Sequence, residues 1–318
     1  MSQAVSRTAP AAAPLSSWIA ISVGIFAVSS SAVLARLAQG EGVPSLIIAA
    51  FRLIAATVVL TPFVLPRYRA EIRKLSRKDW ILLIAAGVFL AIHFATWISS
   101  LEFTSVLIST VLVTTTPLWV SALEVIFLRA RLNRWIILGL VECIAGGIAI
   151  GVTGANSGGA GSNPLWGGTL ALFGAVTVAV YMVIGRSVRS RLALLPYIYI
   201  VYGSAAIVLV VLVALSGSSF TGYSANAYLY MLLIAIFPQI IGHSSFNYAV
   251  KYLPATYIGI ITQLEPIASA GLALALLAEL PTPIQIVASA LILFGVANVV
   301  LSPAPLSPAE AVEEADSL

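Results

Sequence analysis

Residues 264–300 read LEPIASAGLALALLAELPTPIQIVASALILFGVANVV. Two apolar runs are joined here by a short turn, and a proline interrupts the first run near its start. The rest of the chain is similarly rich in apolar residues, since 60% of the 318 residues are hydrophobic and the mean hydropathy is +1.05. Only 9% are charged, against about a quarter in soluble globular domains. This composition excludes a water-soluble globule and favours a chain whose solvent is mostly lipid.

The apolar runs predict ten transmembrane helices, which we number as spans 1 to 10. Helices are expected rather than strands because each run is long and continuous, without the alternation of a membrane barrel. The predicted class is therefore an all-α integral membrane protein. The predicted limits are 17–37, 45–65, 80–99, 105–127, 135–152, 165–184, 194–215, 227–249, 255–277 and 283–301.

Positive charge is confined to alternate connections between the spans. Thirteen Lys and Arg residues lie in the connections that follow spans 2, 4, 6 and 8, and the other connections contain none. The positive-inside rule therefore predicts cytoplasmic N- and C-termini. We expect a multi-pass protein of the cell (inner) membrane. The basic residues are Arg67, Arg69, Arg73, Lys74, Arg77, Lys78, Arg129, Arg131, Arg134, Arg186, Arg189, Arg191 and Lys251.

The two halves of the chain share an arrangement. TTTPLWVSALEVIFL (114–128) aligns with QLEPIASAGLALALL (263–277) at an offset of 149 residues, so that Pro117 falls on Pro266. Each half has five spans, and five is odd, so the second half must enter the membrane in the opposite orientation. The predicted organisation is a disordered arm (1–16), a first repeat (17–152), a linker (153–164), a second repeat (165–301) and an acidic tail (302–318).

The run 264–300 resembles the end of an EamA repeat of the drug/metabolite transporter superfamily, with its proline, later acidic residue, Thr/Pro turn and glycine-containing last helix. The whole chain is most similar to aromatic amino-acid exporters of the YddG type. The resemblance implies a ten-helix exporter with a cavity walled mainly by spans 1, 3, 4, 6, 8 and 9. Spans 2 and 7 would then rock, and spans 5 and 10 would lie outside.

Ionisable and polar side chains within the spans are the candidate substrate-binding residues, because such groups are costly in lipid. His93 and His243 lie on spans 3 and 8, which correspond to each other in the two repeats. The alternative for each histidine is a packing role, with the ring bonded to a backbone carbonyl. The full predicted set is His93, Trp97, Thr115, Trp119, Tyr181, His243, Phe246, Asn247, Gln263 and Glu265.

Pro117 and Pro266 are predicted hinges near the middle of spans 4 and 9. Each removes the backbone hydrogen bond to the residue four positions earlier, and the freed carbonyls could bind a substrate amino group. Simple helix kinks are the alternative. Glu265 is the acidic group beside these breaks, predicted to pair with a substrate amino group or to take a proton, or else to bond a neighbouring helix permanently.

Further aromatic, polar and charged residues lie within the predicted spans. Phe26, Ser30 and Tyr248 would extend the aromatic lining of a mostly apolar cavity suited to an amphipathic solute. Arg52 could snorkel towards the interface or neutralise a buried carboxylate, and Glu142 shares a small-residue face that could pack helices or form a dimer. We expect structural roles for both.

Catalytic and cofactor signatures are missing from the sequence. It contains no phosphate-binding GK pair, HExxH or GxSxG, and its one cysteine, Cys143, excludes an intramolecular disulfide and any multi-cysteine metal site. We therefore expect a transporter of a small-molecule substrate, not an enzyme, with no cofactor, metal or nucleic acid, as a monomer or as a homodimer through spans 5 and 10. A non-selective channel and an exporter of another amphipathic metabolite remain the alternatives.

Overall fold

The structure is a computed structural model in which the described residues are 14–128, 134–135, 137–139, 141–142, 145–146, 149, 162–189, 191–249, 262 and 264–301. Helices form nearly all of this part of the chain, and it contains no strand. Within these described ranges, six helical segments are long and apolar enough to cross a membrane, and three shorter apolar helices accompany them. The prediction of an all-α multi-pass membrane protein is confirmed.

In the first half, spans 1 and 4 each consist of two helices, and spans 2 and 3 are single long ones. Span 3 begins with a capping box in which Ser76 accepts from the Asp79 N–H and the Asp79 carboxylate accepts from the Ser76 N–H. The helices are Leu15–Ser29 and Ser31–Gly40, Ser45–Arg73, Arg77–Phe103, and Val106–Val113 and Thr116–Leu128. The described residues of span 5 are helical.

The second half begins with two long helices and continues into an irregular eighth span. Ala235–His243 of span 8 is a π-helix. It includes Pro238, which cannot donate a backbone hydrogen bond. The helices are Pro164–Arg189, Leu194–Ser216, Ala225–Ile234 followed by the π segment and Ser244–Ala249, Leu264–Leu277 and Pro283–Leu301.

The interruptions in spans 1 and 4 differ from the predicted proline kinks. Span 1 is interrupted at Ser30, inside the serine run 29–31, which contains no proline. Span 4 is interrupted at Thr114 and Thr115, so that Pro117 is the second residue of the next helix. A proline costs little there, because N–H groups in a first helical turn have no intrahelical acceptor. Pro266 is similarly the third residue of Leu264–Leu277, in the described part of span 9.

Close packing between the two repeats is made possible by glycines. Span 3 lies against span 6 at Gly174, where an added Cβ would lie 3.3 Å from Trp97 Cβ, and against span 7 through its own Gly87. In span 1, Gly24 faces Phe246 of span 8. Small residues permit such backbone approaches in membrane helices. Span 3 of the first repeat therefore packs closely on spans 6 and 7 of the second, and span 8 of the second repeat packs on span 1 of the first.

Glu142 and the glycines near it contact span 10. The Asn298 amide donates to Glu142 Oε2 over 3.0 Å, and an added Cβ at Gly146 would lie 2.6 Å from Ile292 Cγ1. This part of the small-residue face is thus occupied by a helix of the same chain, which agrees with a structural place for Glu142.

Candidate functional site

Arg52 of span 2 is fully buried and contacts three other spans. Its Nε donates to Gln239 Oε1 of span 8 over 2.5 Å, and its Nη1 donates to Ser31 Oγ of span 1 over 2.9 Å. The guanidinium carbon lies 4.0 Å from the centre of the Phe94 ring of span 3, in cation–π geometry. Because none of the side chain is exposed, the snorkelling interpretation of Arg52 is wrong.

Four of the predicted site residues meet around Phe94, a residue the sequence prediction did not include. The His93 ring stacks on Trp97 with centroids 6.0 Å apart, and Phe94 contacts the edge of His243 at 5.3 Å. His243 in turn lies 6.4 Å from Phe246. We call these five residues the aromatic cluster. It joins span 3 of the first half to span 8 of the second, and Arg52 covers one face of it.

The two histidines have different surroundings. His93 Nδ1 is 2.9 Å from the Gly174 carbonyl of span 6 and donates to it, which is the packing geometry considered from the sequence. His243 instead makes T-shaped ring contacts with Phe94 and Phe246. The Trp97 indole N–H is buried and has no hydrogen-bond partner in the described part of the chain. The aromatic cluster therefore contains a buried hydrogen-bond donor that is not paired within the described residues.

Tyr181 and Asn247 are brought together between spans 6 and 8. The Tyr181 hydroxyl donates to Asn247 Oδ1 over 3.0 Å, and the Asn247 amide donates to the His243 carbonyl over 2.9 Å. Arg189 approaches the same place, since its Nε donates to the Asn247 carbonyl over 3.4 Å. These bonds connect the aromatic cluster with the end of the bundle that carries the basic loops, which we call the basic end.

Thr115 and Trp119 have a different location from the other candidates. The Trp119 indole N–H donates to Thr115 Oγ1 over 3.1 Å, and that hydroxyl donates to the Leu112 carbonyl over 2.7 Å. Trp119 packs against a smaller core formed by spans 4, 6 and 10. The structure thus places this pair beside span 10, which was predicted to lie outside, and among the described residues Trp119 makes no ring contact with Phe94.

Glu265 is half-buried on span 9 and lies within electrostatic range of Arg52. One turn further on, Ser269 donates to the Ser29 carbonyl over 2.9 Å, which fixes span 9 to the interruption in span 1. The other predicted polar residue here, Gln263, lies outside the described residues. Glu265 and the interruption in span 1 are therefore neighbours of the Arg52 site.

Phe26 does not line the predicted cavity. Its side chain is 85% exposed, on the outer face of span 1, so this expectation is wrong. Ser30 donates to the Ala27 carbonyl of its own helix, and the Tyr248 hydroxyl is hydrogen-bonded to Ser16 at 3.1 Å. The residues of span 1 that reach the centre are instead the serines next to its interruption.

Ionic contacts tie the two halves together at both ends of the bundle. At the end away from the basic loops, Arg36 Nη2 lies 2.9 Å from Glu279 Oε1, while Glu279 Oε2 accepts from the Val106 N–H at 2.9 Å. At the basic end, Arg191 Nη2 lies 2.8 Å from Asp79 Oδ1. The signal available in the sequence for the Arg36–Glu279 pair was the position of Arg36, a single arginine within span 1.

Arg52, Phe94, Ser31 and Gln239 are the residues of this site that the sequence prediction left out. The signal for Arg52 was its position, since a single arginine within an apolar span needs a partner. Ser31 was marked by its place in a run of three serines. Gln239 was marked by its amide within the apolar span 8, one turn before His243. Phe94 carried no distinguishing signal, because it is one of 12 phenylalanines in the chain.

Comparison with known proteins identifies the repeats. The model of the EamA-like transporter family matches twice, over residues 15–152 and 165–301. The chain is 24% identical over 271 residues to the uncharacterized transporter YetK of Bacillus subtilis (strain 168), an alignment that covers 83% of this chain and 81% of that protein. A solved crystal structure, described only as that of a protein, aligns with a TM-score of 0.64 at 20% identity, over 90% of this chain and 97% of the other. At 20% identity, the similarity to this solved structure shows the fold alone. With both halves matched, the chain belongs to the EamA-like transporter family of the drug/metabolite transporter superfamily.

Proposed function

We propose that this protein is a secondary transporter that exports small neutral amino acids, preferably aromatic ones, by alternating access. The observation that carries the proposal is the aromatic cluster, where His93 and Trp97 of one repeat meet His243 and Phe246 of the other. Aromatic rings offer stacking surfaces to an aromatic side chain. A site between inverted repeats is also where secondary transporters bind their substrates.

The ends of the bundle support a carrier mechanism. The Arg36–Glu279 pair joins the halves at one end, and the Arg191–Asp79 pair joins them at the other. A transporter that opens to one side at a time would break one set of contacts while it keeps the other. The interruptions in spans 1 and 4 supply places where helices could bend, and Pro117 and Pro266 remain the predicted hinges. No catalytic step is part of this proposal.

Reconstituted protein should transport phenylalanine with saturation. We expect radiolabelled phenylalanine to enter proteoliposomes faster when unlabelled phenylalanine is present inside, because a carrier returns faster when loaded. Empty liposomes are the control. Linear flux without this stimulation would indicate a channel, and better transport of lysine or glutamate than of phenylalanine would disprove the substrate class.

We propose further that the protein lies in the inner membrane with its basic end in the cytoplasm. In a Cys143→Ala background, a cysteine at Ser219 should react with an impermeant maleimide in intact cells, and a cysteine at Lys74 should react only after lysis. Ser219 lies in the uncharged connection between spans 7 and 8, and both positions are exposed. The reverse labelling pattern would contradict the positive-inside assignment.

A further inference from the structure

The buried guanidinium of Arg52 has one nitrogen without a partner. Nε and Nη1 are held by Gln239 and Ser31, but Nη2 has no hydrogen bond among the described residues although it is fully buried. The Phe94 ring lies against the guanidinium and supplies only a partial negative charge. A buried positive charge is costly unless an anion or several acceptors accompany it. Arg52 Nη2 can therefore donate to one more hydrogen-bond acceptor.

The neighbouring acidic group does not fill that place. Glu265 lies within electrostatic range of Arg52, but the two form no ion pair, and Glu265 accepts no hydrogen bond in the described part of the chain. Tyr202, His93 and His243 are the other titratable groups that act on Arg52 or share its surroundings. A guanidinium and a carboxyl group thus lie near each other within the spans, each with unused hydrogen-bonding capacity.

We infer that Arg52 Nη2 binds the carboxylate of the transported amino acid, while Ser31 and Gln239 hold the guanidinium in position. A planar guanidinium fixed by two of its donors presents the remaining one in a set direction, and carboxylates are its best-matched ligands. The substrate's amino group would face Glu265 and its side chain the aromatic cluster. A zwitterion would then neutralise both charges together. This inference rests on the proposed function and specifies the chemical group that its site recognises.

The test is a binding measurement with probes that each lack one group. Phenylalanine carries both charges, 3-phenylpropionate lacks the amino group, and phenethylamine lacks the carboxylate. Binding to the purified full chain in detergent is measured by competition with radiolabelled phenylalanine and by thermal stabilisation. We expect Arg52→Gln to weaken phenylalanine and 3-phenylpropionate about tenfold or more, and phenethylamine little. Thr57→Ala, on the same helix with a hydroxyl bonded to the Leu53 carbonyl, is the matched control.

A second pair of variants guards against a folding defect. If Arg52→Gln is not monodisperse, Arg52→Lys keeps the charge and loses the planar fork, and Ser31→Ala frees Nη1. Each should still weaken the two carboxylate probes more than phenethylamine. Equal effects on all three probes, or phenylalanine binding like that of the parent in folded Arg52→Gln, would overturn the role of Arg52 and leave the proposed function standing.

Leucine separates failure of the inference from failure of the proposed function. If leucine binds and depends on Arg52 while phenylalanine does not bind, the aromatic preference is wrong and the carboxylate site stands. If the folded parent binds no probe that carries a carboxylate, both the site and the amino-acid substrate class are wrong.

Discussion

Glu265→Gln is expected to lower the affinity for phenylalanine about tenfold or more while 3-phenylpropionate, which has no amino group, binds as in the parent. Glu265 is half-buried on span 9, near Arg52 and one turn from the bond between Ser269 and the Ser29 carbonyl. An amide of the same size keeps the packing and removes the charge. The selective loss follows because only a probe with an ammonium group can use that charge.

Glu142→Gln provides the matched control for Glu265. Glu142 is the acidic residue of span 5, and its carboxylate accepts from Asn298 at 3.0 Å, in contact with span 10. The same change from acid to amide is made there, away from the aromatic cluster, so both probes should bind as in the parent. If Glu265→Gln is folded and binds phenylalanine normally, Glu265 does not recognise the amino group. A uniform loss of both probes would point to the alternative of a purely structural glutamate.

Gly87→Ala is expected to destabilise the protein by about 1 to 3 kcal/mol, the usual range for overpacking. A Cβ at this position on span 3 would lie 2.5 Å from Ser204 Cβ and 2.9 Å from the Val201 carbonyl oxygen of span 7. The second of these atoms belongs to the backbone, so a side-chain rotation cannot relieve the contact and the two helices must separate. Thermal unfolding of the purified protein in detergent measures the loss.

Gly271→Ala controls for the intrinsic effect of alanine in a helix. Gly271 lies within Leu264–Leu277, and a Cβ there would meet no atom within 4 Å. Alanine should therefore leave the stability unchanged or raise it slightly, since it favours helix more than glycine does. If Gly87→Ala unfolds at the same temperature as Gly271→Ala, the close approach of spans 3 and 7 does not contribute to stability in the way the structure indicates.

The amino-acid sequence by itself determined the class of the protein and the division of its spans between two halves. Both follow from local properties, namely the length of apolar runs and the alternation of charge between connections. The second family match begins at residue 165, which is the predicted first residue of span 6 and the second residue of the helix Pro164–Arg189. Residues such as His93 and Glu265 were also recognisable, because a polar group in an apolar helix is conspicuous wherever the helix packs.

Only the tertiary structure decided which face of each span points inward. The spans are apolar on nearly all sides, so no polar stripe indicates how a helix is rotated about its axis, and packing in lipid depends on close contact rather than hydrophobicity. For this reason Phe26 was expected inside and faces outward, while Phe94 lies at the centre. The partners of Arg52 are likewise set by packing, since Gln239 is 187 positions away in the chain. Whether Arg52 is a snorkelling surface residue or a buried cation therefore depends on how spans 1, 2, 3 and 8 come together.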